Sequence, residues 1–297
     1  MAKRIDLLDP DRAALDEALP AQVESDVIAR LLAPVVDDDE PRPRIGARRT
    51  YVFGIYVIPL VIEEKNRVCF QEVDFILTRD AVVTVRKTPP GGRPFDADGV
   101  LADGPPGEIA ASLADAVAEG FLDAIEALDD EVDEVDDGVE ELAAAEVRQR
   151  IRSLRQDLLR VRRVIGPTRE AMHKIIDKRI DLEGAEAFPH EVEVLFGDAY
   201  DKLLRAVDGL DLARDLLAGA RDYLQAKVSN EQNEVMKRLT LIASLLLVPT
   251  FIVGLYGQNF QHHFPEIHWQ YGYAWSWGLI VVTTIGQLIF FRKKRWL

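Results

Sequence analysis

Leu239–Tyr256 (LTLIASLLLVPTFIVGLY) runs for eighteen residues without a charged side chain. As a helix at about 1.5 Å per residue it would be about 27 Å long, close to the hydrocarbon thickness of a bilayer. A second uncharged run, Tyr271–Phe291, opens with Tyr271, Tyr273, Trp275 and Trp277, whose amphipathic rings suit the membrane–water boundary. The competing reading is a pair of buried helices in a soluble core. It lacks material, because no other part of the chain is apolar enough to cover them. The C-terminal fifth is therefore expected to be a two-helix membrane hairpin.

Basic residues set its orientation. Lys237 and Arg238 precede the first run, Arg292–Arg295 follow the second, and the connecting loop has neither Lys nor Arg. The positive-inside rule places both ends in the cytoplasm and residues 257–270 outside. MAKRIDLLDP lacks the apolar core of a signal peptide. The expected location is the plasma (inner) membrane, with the remaining domain inside the cell.

Charge divides at the same place. The chain carries −15 overall, with Lys+Arg 36 and Asp+Glu 51. From Leu239 onward there are four basic residues and one acid, Glu266, so that stretch carries +3 and residues 1–238 carry −18. So acidic a block argues against a nucleic-acid partner, which needs a basic face. The single cysteine, Cys69, excludes an intramolecular disulfide framework and a cysteine-cluster metal site.

Residues 1–48, rich in Asp, Pro and Arg, are expected to form a flexible acidic tail. YVFGIYVIPLVI, from Tyr51, is too short to span a membrane and reads as a buried strand. Val68–Arg86 reads as two strands joined near Arg79–Asp80. A PPGGRPFDADG loop follows. Glu108 onward is helical, with Ile109, Leu113, Val117, Phe121, Ile125 and Leu128 at helical spacing. A sheet followed by helices indicates an α+β class for residues 49–190.

Nine acids between Asp129 and Glu141 precede seven arginines between Arg148 and Arg163. This pattern suits a helical hairpin with oppositely charged arms, while the carboxylates alone would also suit a divalent cation. Pro189 marks the start of a final long helix, about 100 Å if unbroken from Val192 to Tyr256. Leu203, Leu210, Leu217 and Leu224 form an apolar seam on it, and Asp201, Asp208, Asp215 and Asp222 repeat on the opposite face. Continued by sevens, the acidic row becomes Ser229, Met236, Ala243 and Thr250. A solvated face accounts for the aspartates. Several copies around an axis would also account for the small, weakly polar face within the span, as a cation-attracting funnel above a narrow uncharged channel.

The first apolar run ends in YGQNF (Tyr256–Phe260), followed by FPEIHWQYGY. Here the chain resembles the CorA family of divalent-cation channels, whose first membrane helix ends in Tyr-Gly-Met-Asn-Phe before a Met-Pro-Glu-Leu type loop. The resemblance extends through NEVMKRLTLIA (Asn233–Ala243), LFGDAYDKL (Leu195–Leu203), RQRIRSLRQDLLRVRRVIGP (Arg148–Pro167) and DFILTRDAVVTVR (Asp74–Arg86). It covers residues 50–297.

The resemblance implies a homopentameric funnel: a cytoplasmic sheet-and-helix domain, a stalk helix at 191–238, a pore-lining span at 239–257 and an outer loop at 258–270. A second span at 271–291 and a basic tail at 292–297 complete it. Gly257, Gln258 and Asn259 would form the selectivity filter, with Asn259 offering neutral amide oxygens to hydrated Mg²⁺. Asn233, Met236, Leu239, Leu247 and Thr250 would line the pore, with Leu239 and Leu247 as apolar constrictions. Asp222 would be an acidic metal site high in the pore. Asp198 would be half of a regulatory Mg²⁺ site between subunits, its partner to be sought among Asp74, Asp80 and Asp96.

The resemblance thus points to an Mg²⁺ channel gated by intracellular Mg²⁺, with the bilayer, divalent cations and other copies of the chain as partners. Gln258 stands where the family has Met, which leaves Co²⁺, Ni²⁺ or Zn²⁺ as alternative cargo. His262, His263 and His268 offer imidazoles to such ions, though without regular spacing. The reading from another class is a non-conducting membrane-anchored scaffold or metal sensor. No nucleophile–base constellation or phosphate loop points to an enzyme.

Overall fold

A computed structural model describes residues 2–33, 43–62, 67–89, 94–97, 99–183, 186–258 and 269–296. The chain divides into two units, Met1–Arg221 and Asp222–Leu297.

The first unit is built on a sheet of β1 (Lys3–Leu8), β2 (Arg44–Ala47), β3 (Val52–Ile62), β4 (Arg67–Leu77) and β5 (Ala81–Arg86), in the order β1-β5-β4-β3-β2. β1 runs parallel to β5 and the other pairs are antiparallel. The expected strand after Tyr51 is β3, and the expected hairpin at Arg79–Asp80 is β4–β5. Pro59 is tolerated in β3 because β2 pairs only with Val52–Ile55, leaving the strand beyond unpaired on that side.

The N-terminal segment is not a flexible tail. β1 completes the sheet, pinned where Thr84 Oγ1 donates to Asp6 Oδ1 at 2.6 Å and Arg86 pairs with Asp6. Two short helices follow, α1 (Arg12–Ala18) and α2 (Ser25–Leu31). Asp11 caps α1 by accepting from the Ala14 N–H at 2.8 Å. Leu15, Leu19, Val23, Val27 and Leu31, spaced by four, pack on Tyr51, Ile76, Val83 and Val85. That apolar stripe outweighs a disorder-like composition. The most acidic and Pro-rich part of the segment, residues 34–42, lies outside the described residues.

The other face of the sheet is covered by α3 (Pro106–Glu141), which joins α4 (Ala144–Ile176) as a helical hairpin. Pro106 suits the first turn, where a missing N–H breaks no helical bond. Phe121 and Leu113 are fully buried, and Gly120 packs close to Ile58 and Pro59. The expected charge pairing between the arms is seen at Arg150–Glu134, at 2.7 Å. Other arginines of α4 reach elsewhere: Arg160 lies over Phe70 and donates to the Val68 carbonyl, Arg162 pairs with Asp211, and Arg169 lies over Tyr200. The basic face therefore ties α4 to the sheet and to the next helix.

That helix, α5 (His190–Tyr256), begins directly after Pro189, with Glu191 and Glu193 in its first turn. Its leucine seam is buried, with Leu203 and Leu210 at 0% and Leu217 and Leu224 at 4% exposure.

Gly54 lies opposite Phe75 in the β3–β4 register, and a Cβ added there would overlap the Phe75 ring, which also stacks on Tyr56. Gly54→Ala is expected to destabilise the domain by about 2–3 kcal/mol, because the ring has no free volume to enter. Thermal unfolding checks this; an unchanged Tm would show that Phe75 can move aside.

Candidate ion pathway and regulatory cleft

In the first unit, Asp198 is exposed on α5 and faces a cleft of about 1050 Å³ between α3 and α5. Glu108, Asp115 and Asp201 also line it. Lys202 spans the wall, pairing with Asp115 at 2.7 Å and with Glu119. The lysine thus offsets part of the α3 charge, leaving Glu108 unpaired by it, while the α5 side carries Asp198 and Asp201 beside Arg205. Among the described residues, no three His, Cys, Asp or Glu side chains converge as a ligand set. Any cation held at Asp198 needs ligands from water or another copy of the chain.

The three candidate partners of Asp198 fare differently. Asp74 is overturned as a surface ligand. It sits at 0% exposure on the central strand β4, with Lys87 Nζ 3.4 Å from its Oδ2. Asp80 is exposed at the β4–β5 turn and Asp96 is exposed after β5; neither lines the Asp198 cleft.

Lys87 is shared, since it also pairs with Glu72 and donates to the Arg30 carbonyl at 3.3 Å. One ammonium serves two carboxylates. Burial, reinforced by the Glu72 charge and opposed by Lys87 and Arg30, pushes the Asp74 carboxyl up to about 7. Sequence reasoning missed this cluster. Its signal was Asp74 within the otherwise apolar segment VDFIL of β4.

In the second unit, α5 continues through Leu239–Tyr256 and α6 spans Gly272–Lys293. Both are long and apolar enough to cross a membrane, and only 6% of each apolar window is buried, unlike the core helices of a soluble protein. The more buried stripe of α5 is Leu241, Ser244, Leu245, Val248 and Ile252. It carries the contact with α6, where Gln287 Nε2 donates to the Ser244 carbonyl at 3.2 Å.

Leu239, Leu247 and Thr250 lie on other faces and are exposed, as is Met236. The residues read as pore-lining are thus not consumed by the α5–α6 contact. Thr250 Oγ1 donates to the Leu246 carbonyl at 2.7 Å, a local bond that satisfies the hydroxyl within its own helix. Asn233 and Met236 border a hollow of about 390 Å³ together with Trp296. Asp201, Asp208, Asp215 and Asp222 are all exposed, as their phase predicted.

Gly257 closes α5 by donating to the Val253 carbonyl at 2.9 Å, and Gln258 is exposed beside it. Asn259, His262, His263 and His268 lie outside the described residues.

A sheet-and-helix domain whose last helix continues as the first of two exposed apolar helices is the architecture of a protein with two candidate membrane spans. The chain belongs to the CorA-like Mg²⁺ transporter protein family, whose pattern matches residues 7–293. It is 30% identical over 292 residues to the cobalt/magnesium transport protein CorA of Thermotoga maritima, covering 92% of this chain and 80% of that one. It is also 30% identical over 261 residues to the metal ion transporter YfjQ of Bacillus subtilis, a putative assignment in its own name, covering 86% and 78%. Its fold matches the complete CorA magnesium transporter of Methanocaldococcus jannaschii with a TM-score of 0.80 at 20% identity, covering 99% of this chain and 91% of that one. The full-length CmaX protein matches with a TM-score of 0.68 at 18% identity, covering 99% and 88%. The family is one of ion transporters, not of enzymes.

Proposed function

We propose that the protein is a homopentameric channel of the plasma membrane that admits Mg²⁺, and Co²⁺ as a second cargo, and that intracellular Mg²⁺ closes it. Both termini lie in the cytoplasm, residues 239–257 and 271–291 span the bilayer, and residues 258–270 face outside. The observation that carries this reading is the match of the family pattern across both apolar helices and the domain before them. The face of Leu239, Leu247 and Thr250 is compatible with it, because the α5–α6 contact leaves that face free to meet other copies of the chain.

Conduction follows from charge and hydration. The exposed aspartates of α5 concentrate cations at the inner side, and Asn259 meets the hydrated ion at the outer mouth with neutral oxygens. The leucines at 239 and 247 form dry constrictions when the side chains of neighbouring subunits meet at the axis. Mg²⁺ at Asp198, bridged to a neighbouring subunit, would hold the arrangement in which they meet, so loss of internal Mg²⁺ shifts the population toward conduction.

The test is Mg²⁺ and Co²⁺ influx into liposomes carrying the full chain, at several internal Mg²⁺ concentrations. A scaffold or sensor would pass neither ion. Asp198→Ala is expected to raise the half-inhibitory internal Mg²⁺ about fivefold or more, the usual size of a site-to-site coupling. Unchanged inhibition would remove Asp198 from gating.

A further inference from the structure

Gln287 lies within the apolar run of α6, five residues before Arg292. Ser244 lies five residues into the apolar run of α5, so the two meet at matching depth from the cytoplasmic side. The Gln287 Nε2 donates to the Ser244 backbone carbonyl at 3.2 Å, and its Oε1 is buried without a hydrogen-bond partner among the described residues. The Ser244 hydroxyl is engaged within α5, donating to the Leu241 carbonyl at 3.0 Å.

The place of this bond along α5 is informative. It falls between Leu239 and Leu247, just before Pro249. Pro249 has no N–H, so the Leu245 carbonyl loses its helical partner and α5 is weakest beside Ser244. A primary amide inside the hydrocarbon region is costly unless it bonds, and an apolar residue of the same size would pack there without that cost. The amide is also only half satisfied. Such a contact holds two helices in register but yields more readily than a fully paired one.

We propose that Gln287 is a positioning residue of the pore. Its amide ties α6 to the α5 backbone just below the Pro249 break and keeps Leu239 and Leu247 in the register at which they constrict. This rests on the reading of α5 as the pore-lining helix. Without the tie, the lower part of α5 has more arrangements in which the leucine side chains of neighbouring subunits stand apart than in which they meet. Closure by internal Mg²⁺ then needs more Mg²⁺.

Three full-length variants test this in liposomes, with influx measured against internal Mg²⁺. Gln287→Met keeps size and flexibility but removes the donor. The half-inhibitory Mg²⁺ is expected to rise roughly three- to tenfold, the scale of one interhelical hydrogen bond in a bilayer, with maximal influx and the Mg²⁺/Co²⁺ ratio unchanged. Gln287→Asn keeps an amide one methylene shorter and should fall between wild type and Gln287→Met. It is read the same way against wild type if the methionine variant does not assemble. Ser244→Ala keeps the carbonyl acceptor and should match wild type.

A purely structural role would lower maximal influx and assembly without moving the half-inhibitory concentration, and that result overturns the proposal. So does a shift in Ser244→Ala as large as that in Gln287→Met. Wild-type protein that passes no Mg²⁺ would overturn the channel reading and this inference together. Wild type that conducts and closes beside an unshifted Gln287→Met overturns this inference alone.

Discussion

Asn259→Ala is expected to lower Mg²⁺ influx at least about tenfold while leaving assembly and the fold of the sheet domain unchanged. Mg²⁺ gives up its waters reluctantly, so the first contact of an entering ion is with its hydration shell. A ring of amide oxygens bonds that shell without a net charge that would retain the ion. Alanine offers no side-chain oxygen, so the ring of amide contacts at residue 259 is lost. Gly257 and Gln258 close α5 immediately before this position in the sequence. Gln258→Met, which restores the residue the family carries there, should change influx by less than about threefold, because Asn259 remains. Liposome influx of Mg²⁺ and Co²⁺ decides between them. Equal flux in Asn259→Ala would refute the filter, and a larger loss in Gln258→Met would move the filter to residue 258.

Asp74→Asn is expected to flatten the pH dependence of the sheet domain's stability and to raise its Tm at pH 8. In the folded chain the Asp74 carboxyl is pushed up to about 7, against about 3.9 for an unfolded aspartate. The folded state therefore binds the proton more tightly. The stabilisation that this proton provides is complete below about pH 4 and is lost as pH rises through 7. The stabilisation is about 4 kcal/mol at most, since Lys87 favours the ionised form and is itself shared with Glu72. Asparagine keeps the shape and removes the titration. Thermal unfolding of the solubilised full chain, followed by circular dichroism from pH 5 to 8, should show wild type losing stability and Asp74→Asn much less affected. Parallel curves would mean that Lys87 holds Asp74 ionised throughout.

Much of this was legible in local pattern. β3, β4 and β5 announced themselves by β-branched and aromatic runs, α3 by its apolar spacing and α5 by Pro189 and its leucine seam. The N-terminal elements did not, although Leu15, Leu19, Val23, Val27 and Leu31 carry a four-residue apolar repeat. Two seven-residue helices offer too little periodicity to stand against Asp-, Pro- and Arg-rich surroundings. They are fixed by a sheet face, with Ile76, Val83 and Val85, that lies distant in sequence.

The chain's order of residues determined by itself that two apolar runs lie after an acidic domain, that basic residues flank them, and that a Gly-Gln-Asn closes the first. Charge, hydropathy and a short motif are local properties and need no fold to be read. Tertiary structure alone decided three other matters. It placed β4 between β5 and β3, which buries Asp74 and removes it from any subunit surface. It set Asp198 across a cleft from Glu108 and Asp115. It also brought Gln287 to the carbonyl of Ser244, 43 residues away. Each depends on which faces meet, and pairings between distant segments are set by packing rather than by the residues beside them.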